Sequence, residues 1–366
     1  MKSGKRKKGK IICAACVVIV LAAVFVVVFK SGPVRNAISN AASLGSNDAS
    51  SNEIDYERCD AVCVLGNGLA AVSENGIRTL DGDGGELFLN SFTMYDPYLE
   101  SNGETALTCD IGKNTVKLFD LNSVICSIET DNPIISAHIN DDGWFAVCTR
   151  ESSYTSSVTV YNNKGTAVYK WYSGEGYILG ARVGSGNKDM AVLVLSRSGS
   201  EIVRFKLSSE EEQSRYVLEN EAIIDFNYID GGKIAAVTAG RLLFINDKSE
   251  LSAEYDYSEY HLSCYDIQKG IAVLGLWNDK FGEAGRVVAV KSDGAESGCA
   301  EIEEKIADVS WAGKTCAVLL TNEVRTFSSK SLKAASVFED AVGRSVIAQR
   351  DGSVLVTGEY MTKYLK

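Results

Sequence analysis

The chain has 366 residues, 45% of them apolar, with 33 glycines and only three prolines, enough for a large core and many tight turns. The formal charge of −11 conceals two regions: residues 1–30 hold seven Lys/Arg and no acid, and the remainder holds 30 basic against 48 acidic side chains, a net of −18. A body this acidic is repelled by polyphosphate and by anionic headgroups, which excludes a nucleic-acid partner, and two histidines exclude a three-His metal site.

Met1–Lys10 is a basic tail, and Ile11–Phe29 follows as nineteen residues without a charge. At about 1.5 Å per residue a helix of that length reaches about 29 Å, the thickness of a bilayer core. Basic residues in front of it place the N-terminus in the cytoplasm and the bulk outside, a single-pass topology at the cell membrane. The competing reading is a cleaved signal peptide. Its apolar region is usually about 7–15 residues, shorter than this one, and Lys30 closes the run without a small-x-small site. Cys13-Ala-Ala-Cys16 has an outline of a lipoprotein box, but cleavage there would split the apolar run near its start. Residues 30–52, rich in Ser, Asn, Ala and Gly and without periodicity, read as a flexible tether.

From Glu53 a four-strand unit repeats to the C-terminus. Its clearest copy is Ile134–Ile139, Trp144–Thr149, Val158–Tyr161 and Ala167–Trp171, four runs of β-branched and aromatic residues punctuated by Asn/Asp/Gly turns. Units are expected at about 60–92, 93–131, 132–174, 175–219, 220–258, 259–304 and 305–339, with an incomplete one at 340–366. The period of about 35–45 residues is that of propeller blades. An apolar residue enters each turn between third and fourth strands (Leu80, Phe119, Tyr161, Phe205, Ile245, Val290 and Phe327), and seven of the eight second strands carry Ala, as in Ile234-Ala-Ala-Val237. Small residues there let blades pack closely.

The last unit supplies three strands, Arg344–Gln349, Ser353–Thr357 and Met361–Leu365. Ile54–Arg58, at the other end of the domain, is the expected fourth, closing a ring that would otherwise expose two sheet edges. The fold class is therefore all-β, a β-propeller of four-stranded antiparallel blades over residues 53–366, eight in number with seven as the alternative, behind one N-terminal transmembrane helix.

This repeat resembles the WD40-like and quinoprotein-like propeller superfamilies. Asn162-Asn-Lys-Gly-Thr-Ala-Val-Tyr-Lys-Trp171 approaches the quinoprotein blade signature. The other blades lack that tryptophan, and the Trp-Asp ending of WD40 blades is absent, so no quinone cofactor is implied. With its basic tail, single span and tether, the whole chain is similar to an uncharacterised family of membrane-anchored propellers from clostridial Firmicutes, the domain of unknown function 5711.

Catalytic and metal-binding candidates are sparse. His138 and His261 lie on first strands and read as packed side chains, and eight cysteines beyond the apolar run show no Cys-x-x-Cys spacing and read mostly as reduced core thiols. Asp81-Gly-Asp-Gly-Gly-Glu86 has acidic spacing reminiscent of a calcium loop but falls on a hairpin turn. No catalytic residue, metal site or cofactor is expected. One constellation remains. In a propeller, the loops between second and third strands and those between blades emerge on one face. Here they carry Met94, Tyr95, Tyr98, Tyr154, Tyr172, Tyr257, Tyr260, Trp277 and Phe281, with charged neighbours Arg150, Glu151, Asp279 and Lys280. Aromatic residues mixed with cations on loops mark recognition surfaces. The expected function is a non-catalytic binding or scaffold module of the cell envelope, recognising a protein, peptide or glycan. A propeller hydrolase or lyase with an axial site is the alternative.

Overall fold

The structure is a computed structural model and describes residues 52–56, 58–278 and 284–366. These form eight four-stranded antiparallel sheets arranged as the blades of a propeller ring, so the seven-blade alternative falls. In chain order the blades span 61–91, 97–129, 134–173, 177–219, 223–256, 261–302 and 308–339, and the eighth joins 345–365 to Asn52–Asp55. The expected transmembrane helix at Ile11–Phe29 and nearly all of the expected tether lie outside the described residues. Among the described residues no helix is long and apolar enough to cross a membrane.

Burial follows depth in the blade. The second strands Ala106–Asp110 and Val354–Thr357 are buried at every position. Outer strands such as Glu86–Ser91 and Leu251–Asp256 alternate exposed and half-buried residues. A second strand is covered on both faces by neighbouring blades, so it reads as a continuous apolar run, whereas an outer strand has one wet face. The core is accordingly a series of inter-blade layers. One of them unites Ile229, Ala235, Phe244, Leu274 and Val288 from blades five and six.

The hairpin between third and fourth strands is built the same way in all seven continuous blades. A β-bulge falls immediately before the apolar residue that enters the turn, at Leu80, Phe119, Tyr161, Phe205, Ile245, Val290 and Phe327. Bulges of this kind increase the local twist and re-aim one side chain, here inward. At Gly165 the turn demands glycine twice over. Its φ is 78°, and a Cβ would lie 2.6 Å from Cys126 Sγ of the preceding blade.

Ring closure uses Asn52–Asp55, slightly upstream of the expected Ile54–Arg58. It pairs with Met361–Leu365 in the register Asn52↔Tyr364 to Asp55↔Met361, which turns Ile54 into the layer between blades eight and one, with Leu69, Leu80, Leu355 and Tyr364. Backbone bonds then carry the chain onto the loop of blade eight, Tyr56 N–H to Tyr360 O (2.9 Å) and Cys59 N–H to Glu359 O (2.9 Å). Tyr56 Oη lies 3.0 Å from both Gly358 O and Thr362 Oγ1.

Near the axis the first strands splay, and each has one edge with no ladder partner. Side chains of adjacent blades bridge that gap, satisfying backbone groups that would otherwise lie half-buried and unpaired. Asp266 Oδ2 accepts the Trp311 N–H (2.7 Å), Asp308 Oδ2 the Val346 N–H (2.9 Å), and Ser310 Oγ the Ala348 N–H (3.1 Å). Asn227 Nδ2 donates to Ile267 O at 3.3 Å.

Candidate functional site

The loops after second strands and those between blades share one end of the ring, and they concentrate the exposed aromatic surface. Among the described residues five tyrosines are exposed, from 41% for Tyr172 to 75% for Tyr95, with Tyr154, Tyr177 and Tyr360 between. All five lie in, or at the strand ends bordering, these loops. The other large exposed apolar side chains are aliphatic, and most lie on outer strands, for example Leu89, Ile125 and Val337. Three of the five are held by neighbours. Asp110, itself buried, accepts the backbone N–H groups of Tyr95 (2.9 Å) and Asp96 (2.8 Å), pinning that loop to its blade, and Lys113 Nζ stands 4.5 Å from the Tyr95 ring centre. The Tyr154 and Tyr172 rings pack 4.9 Å apart, with Lys170 Nζ 4.8 Å from the latter. Glu151 fixes the loop carrying Tyr154, accepting from Ser157 Oγ (2.6 Å) and Asn132 Nδ2 (2.8 Å).

The other expected residues are distributed differently. Arg150 is exposed at the end of its second strand. Tyr260 is half-buried under the Arg286 guanidinium, 4.7 Å from its ring centre. Trp277 is half-buried with its indole nitrogen enclosed and unpartnered among the described residues, and Lys305 lies 5.9 Å from its ring centre. Tyr257 is not on the surface. It is 1% exposed, and its hydroxyl donates to Thr238 O at 2.6 Å, bracing the inter-blade loop from beneath. Met94 is likewise core. Tyr98 belongs to a first strand and points to the axial groups. Asp279, Lys280 and Phe281 lie outside the described residues. Tyr177 and Tyr360 were not anticipated, although Tyr360 occupies in blade eight the same loop that carries Tyr154 in blade three.

The channel holds a second constellation. His138 Nδ1 lies 3.2 Å from Glu100 Oε2 and 3.3 Å from Tyr98 Oη. Arg182 spans from Glu100 Oε1 (3.3 Å) to Asp225 Oδ1 (3.4 Å) and donates through Nε to Phe226 O (2.6 Å). Tyr265 completes the chain on Asp225 Oδ2 at 3.2 Å. Burial alone would raise the Glu100 carboxyl; the hydrogen bond from His138 and the charge of Arg182 outweigh it and hold it at about 2. An acid so committed is not a proton donor near neutrality. The guanidinium is shared between the two carboxylates, and with His138 and Tyr265 this chain of contacts runs across blades two to six. A cavity of about 310 Å³ opens beside them at the opposite end of the ring, where Asn140, Lys269 and Arg350 lie. Among the described residues no cluster of three or more His, Cys, Asp or Glu could hold a metal ion. His261 is exposed at the start of its strand. In the 81–86 turn Asp81 Oδ1 accepts the N–H groups of Asp83 (3.0 Å) and Gly85 (2.7 Å), so one of its oxygens is spent on the turn itself.

Three solved propellers resemble this ring. Sqt1 of Saccharomyces cerevisiae superposes with a TM-score of 0.63 at 11% identity, covering 88% of this chain and 99% of its own. The computationally designed protein Ika8 gives 0.66 at 10% identity, with coverage of 85% and 98%. BamB from Moraxella catarrhalis gives 0.55 at 11% identity, with coverage of 86% and 98%. At such identities the likeness is one of fold. No curated protein matches the sequence. The model of a family of unknown function, DUF5711, matches residues 45–363, and the chain belongs to that family.

Proposed function

We propose that the protein is a non-catalytic binding or scaffold module, held at the cell membrane by Ile11–Phe29 with the ring outside, and that its tyrosine face engages an envelope protein. The observation that carries this reading is the gathering of all five exposed tyrosines of the described residues at one end of the ring, with the loops of Tyr95 and Tyr154 fixed by Asp110 and Glu151. Tyrosine offers a large contact area at little conformational cost, and fixed loops lower the entropy lost on binding. Lysines over Tyr95 and Tyr172 add charge at the rim of the patch. The chain enters the ring at Asn52, the end of the outer strand remote from these loops. The axial groups are spent on one another, which supports a structural role for them over hydrolysis. Replacing Tyr95, Tyr154 and Tyr172 together by Ala should abolish crosslinking to the partner in native membranes while leaving the melting curve unchanged. Persistent capture would place the partner site elsewhere, and capture lost only on removal of glycans would identify a sugar ligand.

A further inference from the structure

On the face opposite the tyrosines, a groove of about 610 Å³ runs between blades three, four and five. Arg204 lines it, although its side chain is only 5% exposed. The seven bulged hairpins align this residue, the one just before the bulge, with Thr79, Leu118, Val160, Phe244, Ala289 and Thr326. Every one of those is buried and uncharged. The repeat therefore needs no charge here, and blade four alone among the seven has one. Nor, among the described residues, does a carboxylate pair with the charge, whose nearest aromatic contact is the Tyr228 ring, 5.9 Å from the guanidinium carbon to the ring centre. Nη2 donates to Asn246 O at 3.0 Å, and Nε is buried without a partner among the described residues. Nη1 has no hydrogen-bond partner among the described residues either and is not among the fully enclosed atoms, and the residue lines the groove. No carboxylate forms an ion pair with the guanidinium; the nearby Asp189 accepts the Tyr228 hydroxyl at 3.0 Å. A buried guanidinium without a counter-charge is costly to keep.

The rest of the lining combines apolar side chains with two lysines against two carboxylates, Asp189 and Asp247, so that with Arg204 the groove carries a net charge of +1. Trp144, Val168 and Leu207 form one wall, and Lys188 and Lys206, both exposed, add positive charge at the mouth. We propose that the groove binds a small organic anion, a carboxylate or phosphate monoester with a flat apolar body, its acid group on Arg204 and its body against Trp144. The volume is that of sites for such ligands.

The test is ligand-observed saturation-transfer NMR on the full-length chain with three probes: 1-naphthoate, 1-naphthyl phosphate and the neutral 1-naphthamide. At least one acid should bind about tenfold or more tightly than the amide, the discrimination expected of a charge-assisted hydrogen bond. Whichever acid binds distinguishes a carboxylate from a phosphate ligand. Arg204→Met should erase the preference and still melt cooperatively, because the other blades carry uncharged residues at this position. Should that variant misfold, the exposed pair Lys188→Ala/Lys206→Ala keeps the test open, with several-fold weaker acid binding expected. Equal binding of acid and amide, acid binding unchanged in folded Arg204→Met or in the lysine pair, or no acid binding at millimolar probe would each overturn the proposal.

Discussion

If the ring is closed by Asn52–Asp55, its stability should depend on Ile54 far more than on an isoleucine of an ordinary outer strand. Ile54 is 5% exposed in the layer between blades eight and one, and a Cβ built on Gly84 would lie only 3.1 Å from its Cγ2, so the site is tightly filled. Truncating a buried Ile to Ala costs about 2–5 kcal/mol, according to how far the site can collapse. A four-residue edge strand can shift inward, which points to the lower half, about 3 kcal/mol. In a domain this large each kcal/mol lowers the melting midpoint by about 2 °C, so Ile54→Ala should melt about 6 °C lower. Ile125, on the outer strand of blade two, is 39% exposed, and Ile125→Ala should cost less than about 1 kcal/mol. Differential scanning calorimetry of both variants decides it. Equal shifts, or a chain lacking residues 52–55 that melts with the parent, would refute closure through this strand.

The inner strands carry a pH signature. Burial pushes the Asp266 carboxyl up to about 6, with Asp308 adding to it and hydrogen bonds from the Trp311 amide and Gln268 opposing. Its folded value lies above its unfolded one, so the stability it contributes is present below about pH 4 and is lost as the pH rises through about 6. Asp266→Asn should therefore gain on the parent between pH 4 and 7.5, by something on the order of 2 kcal/mol, in thermal melts; a difference independent of pH would contradict this. The eight cysteines of the ring are unbridged, and burial pushes Cys63, Cys109, Cys148 and Cys264 up to about 12. Maleimide at pH 8 should leave these four unlabelled in the native protein and label them in denaturant, as read by intact mass; rapid native labelling would mean that the inter-blade layers open readily.

Much of the architecture was legible because its signals are local. The turn-entering residues from Leu80 to Phe327 recur beside Asn, Asp, Gly or Ser, and Ala recurs in the second strands; both are properties of one blade. Closure was located only approximately because Asn52 has the composition of the tether before it, and the strand register is imposed by Met361–Leu365, some 300 residues away in sequence. The axial network was illegible for the same reason, since 82 residues separate Glu100 from Arg182 and only the ring brings them together. Loop membership placed Tyr95 and Tyr154 at the surface but said nothing of depth, and Tyr257 sits in the same class of loop facing inward. The charge of Arg204 was visible in principle, as the single departure from neutrality once the hairpins are aligned on their bulges.

The binding face can be tested position by position. A photo-crosslinking amino acid placed singly at Tyr95, Tyr154 and Tyr360, and on the opposite face at Glu210 and Lys314, all exposed, would be activated in intact membranes. One discrete adduct of the same mass is expected from the three tyrosine positions and none from the two controls. Adducts from the control face alone, or an identical pattern from both faces, would contradict it.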